Sequence, residues 1–156
     1  CASGFMLATA FAFVAAPDFA RGYAIAAAAL TLLALATRTA SLYRNARIRP
    51  KSTLQSATGI RHPRIEQKAQ GSMGGSFNTR EFFHGRRASF LRSVKWIFLA
   101  LAFPVPLLLL AGGFATASAA LLALAFAIQY AGLIAERWFF FAQANHPQNL
   151  YYQVIS

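Results

Sequence analysis

Three polar side chains with complementary chemistry lie close together in the middle of this 156-residue sequence. Arg80, Glu81 and His84 supply a cation, a carboxylate and an imidazole that titrates near neutral pH. A quinol headgroup needs such groups, because its two oxygens require hydrogen-bond partners and its oxidation releases protons. A re-entrant or interfacial loop with solvated charges would use the same residues, so both interpretations stay open.

A second candidate is the adjacent pair Glu136 and Arg137, which follows the last long apolar run. A carboxylate at the edge of the hydrocarbon region usually faces other helices, because a charge at mid-bilayer costs roughly 2.5 kcal/mol or more. Neighbouring helical residues point about 100° apart, so the two need not bond to each other. Arg137 can instead extend to the lipid headgroups, and a simple interfacial anchor explains the pair equally well.

The residue types that usually bind haem, metals or nucleotides form no recognisable motif in this sequence. Of the three histidines, His62, His84 and His146, none lies in an uncharged run, so no histidine pair stands at membrane depth to hold haem. A single cysteine cannot ligate an ordinary iron–sulfur cluster, and no CxxC, HExxH or phosphate-binding glycine pattern occurs. We expect no haem, iron–sulfur cluster or molybdopterin in this chain.

The composition predicts the environment in which these residues are placed. Hydrophobic residues make up 57% of the chain and charged residues 12%. All Lys and Arg except Arg21 and Arg137 lie between Arg38 and Lys95, which leaves the flanking sequence apolar. Such segregation is typical of an integral membrane protein with one polar connection. The same basic residues are therefore explained by topology, and we expect no nucleic-acid partner.

Four apolar segments predict an all-α membrane protein with two antiparallel helix hairpins. The short connection 17–21 joins the first pair, and Gly112–Gly113 is the predicted turn of the second pair. Pro104 and Pro106 predict a break in the third helix. The predicted helices are 2–16, 22–37, 96–114 and 115–135, with the fourth continuing through residues 136–141.

This arrangement makes residues 1–156 a single membrane-anchor domain. It divides into a hairpin (1–38), a basic polar loop (39–94), a second hairpin (95–143) and a C-terminal tail (144–156). Since an even number of spans separates them, the loop and the tail lie on one side of the membrane, which the positive-inside rule assigns to the cytoplasm. The chain starts inside an apolar run without Met, so we expect a fragment of a longer protein.

Three parts of the sequence resemble a known family. The stretches 52–60 and 74–85, and the tail from Glu136 to Tyr152, resemble the DmsC-type membrane anchor subunit of dimethyl sulfoxide reductase. The resemblance covers the whole chain but only the C-terminal half of the family pattern, which has eight helices. Family topology would place the 39–94 loop in the periplasm, contrary to the charge rule.

The resemblance implies a non-catalytic subunit in the bacterial inner membrane. It would anchor a molybdopterin catalytic subunit and an iron–sulfur subunit, oxidise menaquinol, and pass the electrons on in anaerobic respiration. Alternatives are a purely structural docking anchor or half of a transporter, the latter suggested by the broken third helix and Glu136. The residues then expected to bind quinol or dock a partner are Arg80, Glu81, His84, Glu136 and Arg137, with Arg61, His146 and Asn149 expected to dock a partner.

Overall fold

The computed structural model describes residues 1–48, 53, 55, 56, 59–63 and 88–143. Within those residues the regular structure is helical and contains no strand, as the all-α prediction requires. The helices are α1 (Ala2–Ala15), α2 (Pro17–Arg47), α3 (Ala88–Ala102), α4 (Pro104–Ala115) and α5 (Ala119–Ala142).

Three helical segments are long and apolar enough to cross a membrane. They are Pro17–Arg47, Ser89–Ala115 and Ala119–Ala142, and the shortest has 24 residues. At about 1.5 Å per residue, each exceeds the roughly 30 Å of bilayer hydrocarbon. Helix α1 is apolar but has only 14 residues. Phe11, Val14, Ile25 and Leu108 are each more than 70% exposed, which suits side chains whose solvent is lipid.

The chain divides into two compact units. The first, Cys1–Arg47 with Val94–Arg137, has a core formed by residues from four helices: Met6, Ala27, Leu110, Leu122 and Ala125. Ala27 and Ala125 are small, which lets the helices approach closely at these two positions.

The second unit comprises Ile48–Ser93 and Trp138–Ser156. Its described residues include an edge-to-face ring pair, Phe90 and Trp138, whose centroids are 5.8 Å apart. Thr53 and Ser56 exchange hydrogen bonds: the Thr53 N–H donates to Ser56 Oγ over 2.7 Å, and the Ser56 N–H donates to Thr53 Oγ1 over 3.2 Å.

The predicted connection at 17–21 is wrong, because those residues form the first turn of α2. Ala16 alone separates α1 from α2. Pro17 suits the first helical position, where its missing N–H has no intrahelical acceptor, and Asp18 is favourable near the positive end of the helix dipole. The Phe5 ring of α1 lies against Tyr23 of α2, with their centroids 6.1 Å apart.

The predicted turn at Gly112–Gly113 is also wrong, since both glycines are helical. Helix α4 ends at Ala115, and Ala117 beyond it has a positive φ of 51°. The Ser118 N–H donates to Gly113 O over 2.8 Å, and the Ala117 N–H donates to Phe114 O over 3.4 Å, which is the Schellman pattern. Gly113 instead allows close packing, because a Cβ there would lie 2.5 Å from Leu122 Cδ2.

The predicted break at Pro104 is confirmed. Phe103 has a non-helical conformation (φ −125°, ψ −79°) and separates α3 from α4. Helices also extend into both ends of the stretch predicted as a polar loop, because α2 continues to Arg47 and α3 begins at Ala88. Arg44 and Arg47 lie in the last turn of α2, where cations are favourable. The division into hairpins, loop and tail stays a prediction.

Candidate functional site

A buried amide links three helices of the first unit. Gln129 of α5 is 2% exposed, and its Nε2 donates to Thr31 Oγ1 of α2 over 3.0 Å and to the Ala102 carbonyl oxygen of α3 over 3.3 Å. The Thr31 hydroxyl in turn donates to the Ala27 carbonyl oxygen over 2.7 Å. Buried hydrogen bonds between helices determine which helix faces meet.

The proline break explains why the Ala102 carbonyl oxygen accepts a side-chain hydrogen bond. In an unbroken helix this oxygen would accept the N–H of the residue four positions later, which is Pro106. Proline has no N–H, so the oxygen would be left buried without a partner. The Gln129 amide takes the place of the missing donor.

A second polar contact joins the same helices closer to the C-terminal ends of α2 and α5. Arg38 Nη2 lies 2.7 Å from Glu136 Oε1, and the two side chains are only 14% and 23% exposed. The Arg38 guanidinium also lies over the ring of Phe98 in α3, with Cζ 5.6 Å from the centroid. Phe98 itself is fully buried. The arrangement combines an ion pair with a cation–π contact.

Three buried polar atoms of these two contacts have no hydrogen-bond partner among the described residues. They are Arg38 Nε, Arg38 Nη2 and Gln129 Oε1. Nη2 nevertheless lies 2.7 Å from Glu136 Oε1 and is paired with it as an ion pair, so Nε is the Arg38 donor without an acceptor among the described residues. Buried donors and acceptors are normally paired, and an unpaired one on a charged group is especially costly. Arg38 Nε and Gln129 Oε1 can therefore form a hydrogen bond to a further group.

The two contacts lie along one line of packing, which we call the polar seam: Thr31 and Arg38 of α2, Phe98 and Ala102 of α3, and Gln129 and Glu136 of α5. Each α2–α5 pair is separated by 98 residues in sequence, and the two pairs are seven residues apart on both helices. Positions seven apart share a helix face, about 10.5 Å along the axis. Helices α2 and α5 therefore run parallel.

Gly132 lies between the two polar contacts and brings α5 against α3. A Cβ at this position would meet the backbone of Leu101 and Ala102, with Ala102 Cα only 2.8 Å away. A small residue at a helix crossing permits this close backbone approach. This close packing brings the backbone of α5 between Gln129 and Glu136 against α3.

Only part of the predicted site lies among the described residues. Glu136 faces α2 and pairs with Arg38, whereas Arg137 is exposed. Arg61 is exposed and belongs to the second unit. The other predicted residues lie outside the described residues: Arg80, Glu81, His84, His146 and Asn149. The functional roles predicted for all eight stay predictions.

Sequence reasoning missed Arg38, Thr31 and Gln129 as members of a site. Arg38 has the position of a residue that extends to the headgroups, and its pairing with a residue 98 positions away has no local signature. One signal was present: Thr31 and Arg38, like Gln129 and Glu136, are spaced by two helical turns within or beside apolar runs. Polar residues repeating on one face of two membrane helices indicate a shared interface.

The described residues contain no group of three or more His, Cys, Asp or Glu side chains that lie together. The predicted absence of metal and haem stays a prediction. In the described part of the chain, the side-chain polar groups of the seam are an amide, a hydroxyl, a guanidinium and a carboxylate. All four suit hydrogen bonding, and the carboxylate can also exchange a proton.

The fold and the seam define an all-helical protein of the membrane type, with polar contacts between apolar helices. No protein-family model matches the chain, and no solved structure matches it. A protein of Allochromatium vinosum, named as the C subunit of sulfite dehydrogenase, is 52% identical to it over 155 residues. The match covers 99% of this chain and 48% of the relative, so the chain spans about half the length of that relative.

Proposed function

We propose that this chain is part of a membrane-anchoring subunit of a sulfite dehydrogenase complex. The observation that carries this proposal is the 52% identity to the Allochromatium protein across 99% of the chain. The three long apolar helices support it, because they suit a subunit that holds soluble partners at a membrane. The membrane would be the bacterial inner membrane.

The proposed reaction divides between subunits. Sulfite and water give sulfate, two protons and two electrons at a molybdopterin catalytic subunit, and an iron–sulfur subunit transfers the electrons to the membrane. A quinone dissolved in the bilayer takes up two electrons and two protons to become quinol. The membrane subunit binds the quinone headgroup, shields it from side reactions and delivers protons to its oxygens.

The relative's name indicates a complex that oxidises sulfite, and in our proposal the electrons then pass to quinone. The resemblance to dimethyl sulfoxide reductase anchors favours the reverse flow, in which menaquinol is oxidised and an S-oxide is reduced. The second direction is our alternative function, supported by the stretches 52–60, 74–85 and 136–152. The same proton-exchanging groups serve both directions, because each step of a reversible reaction passes through the same transition state.

The proposal includes a four-span arrangement. Helix α1 would be a fourth, shorter span that pairs with α2, and the α3–α4 segment would pair with α5. The contact of Phe5 with Tyr23 supports the first pairing, and the Schellman turn at Thr116–Ser118 supports the second. Together they would form the C-terminal half of an eight-helix subunit.

The basic residues between α2 and α3 complete the proposal. Arg80, Glu81 and His84 would contact quinone or the iron–sulfur subunit, and Arg61, Arg137, His146 and Asn149 would contact that subunit. A strongly basic surface favours an acidic partner face and speeds the encounter. Residues 48–87, between α2 and α3, contain eight Lys or Arg and two Glu, which fits such a surface.

The test uses the full-length subunit in its native complex. Deletion of its gene should release sulfite-oxidising activity, assayed with the soluble acceptor ferricyanide, from membranes into the soluble fraction. Membranes should at the same time lose sulfite-dependent reduction of decylubiquinone. Reintroduction of the full-length gene is the matched control and should restore both.

Three other outcomes would overturn the proposal or its quinone-binding part. If deletion leaves sulfite-dependent quinone reduction in the membranes, the chain is not part of that pathway. If wild-type membranes reduce dimethyl sulfoxide with menaquinol and the deletion abolishes only this reaction, the alternative function replaces the proposal. If the deletion releases the soluble subunits, and these subunits alone still reduce decylubiquinone with sulfite, the chain is a purely structural anchor.

A further inference from the structure

We propose that Arg38 and Glu136 hold the quinone headgroup, with Arg38 donating a hydrogen bond to one quinone oxygen and Glu136 exchanging a proton with it, while the buried Phe98 ring positions Arg38. This inference rests on the proposed function, because it takes the quinone as the electron acceptor or donor. It adds a binding site at the C-terminal end of the polar seam.

The first argument is the hydrogen-bonding state of Arg38. Its Nη2 atom lies 2.7 Å from Glu136 Oε1, but its buried Nε has no hydrogen-bond acceptor among the described residues. An arginine that served only to link α2 and α5 would be expected to use these donors on the carboxylate. A ligand carbonyl oxygen offers the missing acceptor, and a quinone has two such oxygens.

The second argument is position in the membrane. Arg38 and Glu136 are the first charged residues after the uncharged runs 22–37 and 119–135. They therefore stand near the end of the hydrocarbon region, about 10.5 Å along the helices from Thr31 and Gln129. A quinone is apolar in its tail and polar in its headgroup, so its carbonyls favour the same depth.

The third argument is access and shape. Arg38 and Glu136 retain 14% and 23% of their side-chain exposure, so a planar ring can approach them from the side of the helices. Phe98 is fully buried and lies under the guanidinium, which restricts the directions in which the Arg38 N–H groups can point. A preorganised donor loses less entropy on binding than a free surface arginine.

Reduction of the quinone to quinol requires two electrons and two protons, and each has a source when the quinone binds at this pair of residues. Two electrons from the iron–sulfur partner enter the quinone, and negative charge develops on its oxygens. The Arg38 guanidinium stabilises the charge on the nearer oxygen. The Glu136 carboxylate takes up a proton from the aqueous side and passes it to that oxygen, which returns Glu136 to its ionised form, while the second oxygen takes its proton from water. In the opposite direction Glu136 accepts the proton that quinol releases.

The test compares Arg38→Gln and Glu136→Gln with the control Arg44→Gln in the full-length protein within the complete complex. Arg44 is an exposed arginine of the same helix, so its loss removes the same charge. Loss of a charge-assisted hydrogen bond should raise the KM for decylubiquinone about 10- to 100-fold in Arg38→Gln. Glu136→Gln should lower kcat and change its pH profile, with a smaller effect on KM. Arg44→Gln should match the wild type.

An assay with ferricyanide distinguishes a defect at the quinone site from a defect elsewhere in the complex. Sulfite oxidation with this soluble acceptor should stay at the wild-type rate in all variants, and Arg38→Lys should recover part of the quinone affinity. An unchanged KM and kcat for quinone in both Arg38→Gln and Glu136→Gln would overturn the inference. Loss of the soluble subunits from the membrane in these variants would also overturn it, since the pair would then serve docking.

A measurement on the wild type keeps the inference testable if a variant fails to fold. An azido-substituted quinone, activated by light in wild-type membranes, should label peptides of α2, α3 or α5 that contain the seam residues. Labelling only in other parts of the full-length subunit would overturn the inference while leaving the proposed function intact. If wild-type membranes reduce no quinone with sulfite, the proposed function itself fails.

Discussion

Gln129 donates a hydrogen bond to the carbonyl oxygen of Ala102, which has lost its usual donor because Pro106 carries no N–H. The contact connects a backbone defect in one helix to a side chain 27 residues later in another. The same amide also binds Thr31, so a proline break in α3–α4 and the packing of α2 on α5 depend on one residue. The stability of the break should therefore respond to changes on a different helix.

We expect Gln129→Leu to destabilise the full-length protein. The substitution keeps a side chain of similar size but leaves the Ala102 oxygen buried without a partner, at a cost of about 1–3 kcal/mol. Equilibrium unfolding in mixed micelles with increasing SDS measures the change. Thr31→Val should be less severe, and the double variant should show a coupling free energy of about 0.5–3 kcal/mol.

Thr37→Val is the matched control for Thr31→Val. Thr37 is on the same helix and its hydroxyl also donates to a carbonyl oxygen four residues earlier, at 3.1 Å, but it is exposed. The control should leave stability unchanged within about 0.5 kcal/mol. Additive effects of Gln129→Leu and Thr31→Val would contradict the hydrogen bond between α2 and α5.

Gly132→Ala should also destabilise the protein. The added methyl group would overlap the backbone of Leu101 and Ala102, which cannot move as a flexible side chain can. Overpacking of this kind costs about 1–3 kcal/mol. The same unfolding measurement applies. Gly22→Ala is the control, because nothing lies within 4 Å of a Cβ at Gly22, and this variant should be equal to or slightly more stable than the wild type.

Ala117→Gly should stabilise the turn between α4 and α5. Ala117 has a φ of 51°, a left-handed conformation that costs a residue with a Cβ about 1–2 kcal/mol. Glycine removes this cost but adds freedom to the unfolded chain, so a net gain of about 0.5–1 kcal/mol is expected. Ala131→Gly, at an exposed position inside α5, should lose about 1 kcal/mol. A loss of stability in both variants would contradict the turn geometry.

Arg38 and Glu136 should be more tolerant of joint replacement than of single replacement. Arg38→Met or Glu136→Met alone leaves one poorly solvated charge without its partner. The cost should be below the about 3–5 kcal/mol of a fully buried pair, because both side chains keep some exposure. The double variant should recover much of this loss in the SDS titration. A double variant less stable than either single variant would contradict the pairing.

Local rules were enough to predict some of these features and not others. The break at Pro104 and the helical continuation through Glu136 follow from proline chemistry and from uninterrupted helix formers, and both are observed. The partners of Glu136 and Gln129 could not be predicted, because they are 98 residues away in sequence and depend on how helices meet. Gly112 and Gly113 were misassigned because glycine serves both turns and close helix contacts.

The last prediction concerns the side of the membrane on which each helix end lies. Since the two α2–α5 contacts keep the same separation of 98 residues, α2 and α5 run parallel. Their N-terminal ends, beside Ala16 and Ala117, should then lie on one side, and Arg44 on the other. Single cysteines at these three positions, in a full-length protein with its other cysteines replaced, can be labelled with a membrane-impermeant maleimide.

Right-side-out and inside-out vesicles should give opposite labelling patterns. Ala16→Cys and Ala117→Cys should react in the same preparation, and Arg44→Cys in the other. Reaction of all three in one preparation would contradict a membrane-spanning α2. Reaction of Ala16→Cys and Ala117→Cys in different preparations would contradict the parallel arrangement, and with it the alignment of the Gln129 and Glu136 contacts. The preparation in which Arg44→Cys reacts also assigns the side on which the basic stretch begins, which the charge rule and the family resemblance assign differently.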